Sequence, residues 1–249
     1  MTEVAAPTRR ERQRQQTLEE IVTVSRELLR EPGGLSLRAV AQKMGITAPA
    51  LYRYVASYQE LVHLIAQDID ASAAVELAAS RDRYPHDDPA AQIVAAAIAF
   101  RRWALTHREE FGLVFANPLT GHDNPEEMKD QQVGLAFNDV FIRLWRKYDF
   151  PVPPLEEIHP SVVATFDDPY IPARLEDIPA DAKGLLWVFM QSWVQLYGTV
   201  TLEVFGHCDP RVIESGALFY SMLTRQAEAL NITDELPRLL PMIESELAR

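Results

Sequence analysis

Residues 35 to 62, LSLRAVAQKMGITAPALYRYVASYQELV, constrain the fold more than any other stretch, because they fit two short amphipathic helices around one glycine. Ser36 is a good N-cap, and Leu37, Val40, Ala41 and Met44 follow at i, i+3, i+4 and i+7, which makes one apolar face. Gly45 falls where the chain must turn, since glycine takes positive φ without a Cβ penalty. Thr47 is placed to cap the next helix, with Pro49 in its first turn, where a missing N–H costs little. Leu51 and Val55 are spaced to dock that second helix on the first, leaving Ala48, Ala50, Tyr52, Arg53 and Tyr54 mostly outward. Ser57 and Glu60 have the S-x-x-E spacing of a capping box, which predicts a third helix from there.

Charge separates this stretch from the rest. The net charge is −12, yet no Asp or Glu occurs from Pro32 to Gln59. Residues 1–55 hold nine basic and six acidic side chains, net +3, and residues 56–249 hold 15 and 30, net −15. A phosphate-facing surface requires such a division, because each carboxylate on it would repel a nucleic-acid backbone. Helix, tight glycine turn, short helix is the helix-turn-helix, whose second helix reads the major groove. On periodicity alone, an ordinary helical hairpin on a globular surface fits equally well.

The ordered string of cap, glycine turn, Thr-x-Pro-x-Leu-Tyr and capping box goes further. LSLRAVAQKMGITAPALYRYV followed by SYQELV resembles the DNA-binding domain of the tetracycline-repressor (TetR) family of bacterial transcription regulators, over residues 17–66. The resemblance implies phosphate contacts at Ser36 and Arg38 and a recognition helix at Thr47, Ala48, Pro49, Ala50, Tyr52, Arg53 and Tyr54. Tyr52 and Tyr54 suit phosphate and sugar, Arg53 suits guanine O6 and N7, and the small apolar trio suits thymine methyls. Tyr58 stands where the family usually has Lys, so a hydroxyl donor is kept there and a charge is lost.

Ahead of this head, residues 1–16 are expected to form a basic arm carrying Arg9, Arg10, Arg12 and Arg14, either reaching DNA or serving as a solubilising tail. A first helix is predicted from near Thr17 to Arg30, ending before Pro32-Gly33-Gly34. Gln59 to about Ser80 is expected to connect the head to a body, residues 67–249, that binds effector and dimerises. Helices are predicted there at Ala90–Leu105, Glu126–Lys147, Gly184–Phe205, Pro210–Leu230 and Asp234–Leu247, so the fold class is all-α.

AFRRWALTHREEFGLVF and WVQLYGTVTLEVFG resemble the C-terminal ligand domain of TetR regulators with a Trp-x3-His-Gly signature, with Trp193, Tyr197, Gly198, Leu202, Glu203 and Gly206 in the pattern and Tyr197 replacing its His. Pairing of two heads on a palindromic double-stranded operator implies a homodimer, expected through Gly184–Phe205 and Pro210–Leu230. Aromatic residues concentrated in the body suggest a cavity for a small apolar effector, though any one of them is as well explained as core. The candidates are Phe100, Trp103, Phe111, Phe115, Phe137, Phe141, Trp145, Phe166, Trp187 and Trp193, with His107 and Gln191 as polar groups. Residues 149–183, rich in proline and acid, are expected to be a lid anchored by Val162, Val163, Phe166 and Tyr170, or else a disordered loop.

Other classes fit poorly. No apolar run approaches the roughly 20 residues a membrane span needs, and the N-terminus has no secretory signal, so a cytoplasmic protein is expected. One cysteine excludes an internal disulfide. The six histidines show no metal-ligand spacing, and no nucleophile elbow or phosphate-cradling glycine loop occurs, so no metal, cofactor or enzymatic activity is expected.

Overall fold

Thr8 caps the first helix, α1 (Arg9–Leu29), through a full capping box: Glu11 N donates to Thr8 Oγ1 at 3.2 Å and Thr8 N to Glu11 Oε2 at 2.6 Å. This corrects the sequence expectation of a free arm ending near Thr17. Arg9, Arg10, Arg12 and Arg14 all lie on α1, because Thr8-x-x-Glu11 is a start signal that the later, more apolar residues overshadowed. The computed structural model describes residues 8–117, 131–167 and 178–247, and twelve α-helices with no strand occur among them.

The chain divides into two compact units, one of Met1–Ile69 with Glu109–Asp123, the other of Asp70–Arg108 with Asn124–Arg249. In the first, α1 packs on α2 (Leu37–Lys43), and α2 packs on α3 (Ala48–Leu51). Ser36 Oγ caps α2 by accepting from Ala39 N at 3.1 Å, and Gly45 makes the turn at φ +68°. Thr47 holds the N-cap position of α3, but its side chain makes no capping bond. Ser57 caps α4 (Tyr58–Arg81), Glu60 N donating to Ser57 Oγ at 3.0 Å, while the Glu60 carboxylate accepts from Ala56 N and not from Ser57 N, so half of the expected box forms. Ile21, Val40, Leu51, Leu61 and Ile65 are fully buried and form the unit's core.

A buried carboxylate fastens α6 (Arg108–Phe115) to α1. Glu110 is fully buried, and it accepts from Arg26 Nε at 3.1 Å, Arg26 Nη2 at 2.9 Å and Arg30 Nη2 at 2.8 Å. Arg26 also pairs with Asp68 on α4, at 2.8 Å.

The second unit is organised by α5 (Pro89–Thr106), whose buried residues lie on every face, so it must be enclosed by other helices. It packs against α7 (Gln132–Tyr148), α9 (Leu185–Val204) and α12 (Leu236–Leu247). Asp88 caps α5 and also receives both terminal amines of Arg238 on α12. Arg101, inside α5, pairs with the buried Glu203 of α9 at 2.6 Å and donates to Ile213 O at 2.7 Å. Burial raises the Glu203 carboxyl above its usual range, against the lowering effect of Arg101.

One further element differs from expectation. Pro210–Leu230 is not one helix: Gly216 adopts φ +65° and separates α10 (Pro210–Ser215) from α11 (Ala217–Ala229), which packs on α9. The left-handed glycine ends the first helix and frees its last carbonyls for a tight turn. In the proline-rich stretch, α8 (Pro160–Val163) and Phe166 gather Ile158, Val162, Val163, Ile178, Leu186 and Trp187 into a small apolar cluster. Gly184 is required beside it, since a Cβ there would lie 2.1 Å from Pro153 O. Tyr170, the remaining expected anchor, lies outside the described residues, as does the predicted start of the helix at Glu126.

Two measurements test this account. Glu110→Ala leaves two arginines without their buried acceptor and lowers unfolding stability by about 3 kcal/mol, at the lower end for a buried pair because Arg30 is half exposed. Urea unfolding reads this, and a loss below about 1 kcal/mol would show the cluster to be incidental. Asp70 caps α7, accepting from Gln132 N at 2.5 Å and Val133 N at 3.3 Å. Burial pushes its carboxyl up to about 6, opposed by those two N–H groups. Between about pH 4 and pH 6 the native state therefore holds a proton the unfolded chain has lost, and stability falls as pH rises through that window. Asp70→Asn should flatten that part of the stability profile by on the order of 2 kcal/mol relative to wild type.

Candidate nucleic-acid interface and ligand cavity

The head presents its residues as one surface. Ser36, Arg38, Thr47, Ala48, Pro49, Tyr52, Arg53 and Tyr58 are all exposed, Tyr52 at 51% and Tyr58 at 40%, while Ala50 and Tyr54 are half-buried. Exposure of two large aromatic rings that no core needs is costly unless something covers them. The helix itself is a single turn, Ala48–Leu51, and Tyr52 to Tyr54 continue it as hydrogen-bonded turns, with Tyr54 N donating to Leu51 O at 2.9 Å.

Charge on this surface is unusually free. Arg38 and Arg53 carry no ion pair or hydrogen bond from their guanidinium groups among the described residues. Several acids of the same unit are occupied: Lys43 holds Glu27 at 2.9 Å and Glu31 at 2.6 Å, and Glu110 is taken up by Arg26 and Arg30. Two unpaired cations beside hydroxyl donors make a set that binds phosphate well.

Sequence reasoning misplaced one residue that matters here. Arg14, assigned to the arm, sits on α1 and reaches across to α3: its Nη1 donates to Arg53 O at 3.2 Å, and its guanidinium lies 5.4 Å from the centre of the Tyr54 ring. It thus braces the turn that carries Arg53. The signal was present as Thr8-x-x-Glu11, which puts Arg14 on a helix face.

The second unit holds an apolar cavity of about 70 Å³. Phe137 and Phe141 of α7, Trp193 of α9 and Ala97 of α5 line it, and Met222, Leu223 and Gln226 close it from α11. Phe189, Ser192 and Leu196 of α9 complete one wall. Of the twelve expected ligand residues, Phe137, Phe141 and Trp193 are brought together here. Phe100 stands behind them, its ring 6.3 Å from Phe137 and 5.5 Å from Trp193. Trp103 stacks on His107 at 6.0 Å, and His107 Nδ1 lies 3.1 Å from Trp103 O, so that histidine is engaged at the end of α5. Trp193 also stacks on Tyr197, 6.0 Å away.

The others do not line the cavity. Phe111 and Phe115 meet at a tilt, ring centres 5.1 Å apart, in the first unit, Phe166 and Trp187 belong to the α8 cluster, Trp145 is half-buried elsewhere on α7, and Gln191 is exposed. Aromatic composition marks core and cavity alike, so it cannot separate them. Gln226 was missed, because a glutamine within a helix has no sequence signature.

Comparison with known proteins agrees with both regions. A family model described as Tetracyclin repressor-like, C-terminal domain, matches residues 93–226, a little over half of the chain. The HTH-type transcriptional regulators Rv1816 of Mycobacterium tuberculosis and Mb1846 of Mycobacterium bovis are each 28% identical over 219 residues, covering 85% of this chain and 91% of theirs. Among solved structures, the regulatory protein SCO4313 has a TM-score of 0.59 at 26% identity, with 88% of this chain and 98% of that chain covered. A Rhodococcus sp. RHA1 protein of unknown function has a TM-score of 0.51 at 18% identity, covering 92% and 97%, and shows the fold alone.

Removing the brace should loosen the turn without unfolding the unit. Arg14→Ala deletes one exposed cation–π contact and one hydrogen bond, together about 0.5–1 kcal/mol. Amide exchange at Arg53–Val55 is expected to rise roughly two- to fivefold, with exchange at Val40 and Ile65 unchanged. Equal rises at all these sites would mean that Arg14 supports the whole unit instead.

Proposed function

The chain belongs to the tetracycline-repressor-like family of transcriptional regulators, and on that premise we propose that it acts as a homodimeric repressor released from its operator by an apolar effector. It is a DNA-binding regulator and not an enzyme. In this reading residues 17–66 recognise DNA and residues 67–249 bind effector and dimerise. Each head inserts the Thr47–Tyr54 segment in the major groove of one half of a palindrome, with Ser36, Arg38 and Tyr58 on the flanking phosphates. The observation that carries the reading is the acid-free, exposed head surface with Arg38 and Arg53 unpaired.

Dimerisation is supported by the outer face of α9. Among the described residues eight large hydrophobics are exposed, and four of them, Val194, Leu202, Phe205 and Val212, lie on or beside α9 and α10. Val194, Gly198, Leu202 and Phe205 follow one helical stripe, and nothing lies within 4 Å of a Cβ placed on Gly198. A stripe with a glycine at its middle suits close approach of a second helix. No described helix is long and apolar enough to cross a membrane, and in this reading a regulator of chromosomal DNA works in the cytoplasm.

For the effector, the cavity walls come from α5, α7, α9 and α11, so a ligand there bears on how those helices pack. Such a ligand releases DNA only through its different affinity for the bound and free states.

Selection of fragmented genomic DNA by the purified protein, read by sequencing, tests the proposal. Wild type should enrich a palindrome. Arg53→Ala is expected to cost about 1–3 kcal/mol per half-site and to relax the motif at one position, as loss of a base contact does. Arg38→Ala should weaken all sequences alike and reduce the salt slope by about 1 per head, as loss of a phosphate contact does. Enrichment without a shared motif would instead point to architectural binding.

A further inference from the structure

We propose that the cavity of the second unit takes an uncharged, largely apolar small molecule carrying one hydrogen-bond acceptor, which the Gln226 side-chain amide receives. The inference rests on the effector reading above and narrows its chemistry.

Two independent observations meet at this site. First, the lining contains no ionisable side chain; apart from Trp193, its polar side chains are Ser192 and Gln226 alone. A charged ligand entering such a wall would lose its hydration with nothing to replace it. Second, Gln226 is 8% exposed, and its Nε2 has no hydrogen-bond partner. An amide N–H2 carries two donors, and a buried donor left unmet is one of the less favourable features a core can hold. Gln226 sits on α11 between Leu223 and Ala227, both also in the wall, so its neighbours on the helix offer it no acceptor side chain. The oxygen of a ketone, ester or ether needs only one donor, which the Gln226 amide supplies.

Shape narrows the class further. The cavity of about 70 Å³ lies among the rings of Phe137, Phe141 and Trp193 and is about half the roughly 150 Å³ that takes benzene, so a flat ring enters only as these walls part. The acceptor is then directed toward α11 and the apolar body toward α7 and α9.

Acetophenone and ethylbenzene share size and shape and differ in the acceptor, so they serve as probes. Binding of each to the full-length protein and to Gln226→Met is measured by ligand-observed NMR titration. Wild type is expected to bind acetophenone about tenfold more tightly than ethylbenzene, a difference of about 1.4 kcal/mol. In Gln226→Met the preference should fall to within about twofold while ethylbenzene still binds. Equal binding of the two probes to wild type overturns the proposal without reference to any variant. So does a preference that survives in Gln226→Met, and so does failure of both probes to bind. Release of protein from its selected genomic fragments is scored separately. Binding with the stated preference but no release upholds the ligand class and overturns the effector reading, whereas release by both probes equally keeps the effector reading and overturns the class.

Discussion

A helix that is apolar on every face has nowhere to put a solvent side, and α5 imposes that condition on the whole second unit. Its alanines at 90, 91, 95, 96, 97, 99 and 104 are all buried, so neighbouring backbones approach it closely from several directions. α7, α9 and α12 are the elements that enclose it. The buried cation within it, Arg101, is tolerated because Glu203 and the Ile213 carbonyl both meet it in the interior. Neutralised charge inside a core adds little net stability, but it fixes which turn of α9 faces which turn of α5. The same economy of side-chain volume on α5 explains the cavity. Where Ala97 faces the rings of Phe137 and Trp193, small meets rigid, and the space between is not filled.

The first unit solves an opposite problem, in which charge must be kept on the surface and of one sign. α1 carries several acids, and left alone they would oppose the cations of the head. Lys43 ties up Glu27 and Glu31, while Arg26 and Arg30 converge on Glu110. The pairs neutralise Glu27, Glu31 and Glu110 and leave Arg38 and Arg53 for an external partner. The exposed Lys43 pairs do little for stability, unlike the two arginines on the buried Glu110. Their effect is on the field at the head, and it depends on Arg14 holding the turn that carries Arg53.

How far the chain could be read from its sequence follows from which signals are local. The turn at Gly45, the cap at Ser36 and the cap at Ser57 all depend on neighbours within a few residues, and each appears where the pattern placed it. The spans of α4, α5, α9 and α12 came close for the same reason. The start of α1 was missed because its first two turns are polar throughout, and hydrophobic periodicity says nothing about them. The break at Gly216 was missed because the residues around it keep helical propensity, and the glycine acts only through its left-handed backbone. Long-range features were not legible at all. Glu110 meeting two arginines some 80 positions away is a pairing that no spacing announces. The cavity is of the same kind: three of the twelve aromatic or polar candidates line it, and the other nine serve elsewhere.

What distinguishes Gln226 from ordinary imperfection is its company. The other buried side-chain atoms without a hydrogen bond among the described residues are the hydroxyls of Ser25 and Thr201 and one oxygen of Glu246. The hydroxyls are small groups on helices, and the Glu246 carboxylate lies within reach of Arg83 and Arg102. None of the three lines the cavity. A leucine at position 226 would fill the same volume with no unmet donor, and replacement of that kind is often stabilising. The amide therefore works against the stability of the unliganded fold. A feature with that sign is accounted for by a state in which the donor is met, and the cavity that Gln226 lines is where such a partner would sit.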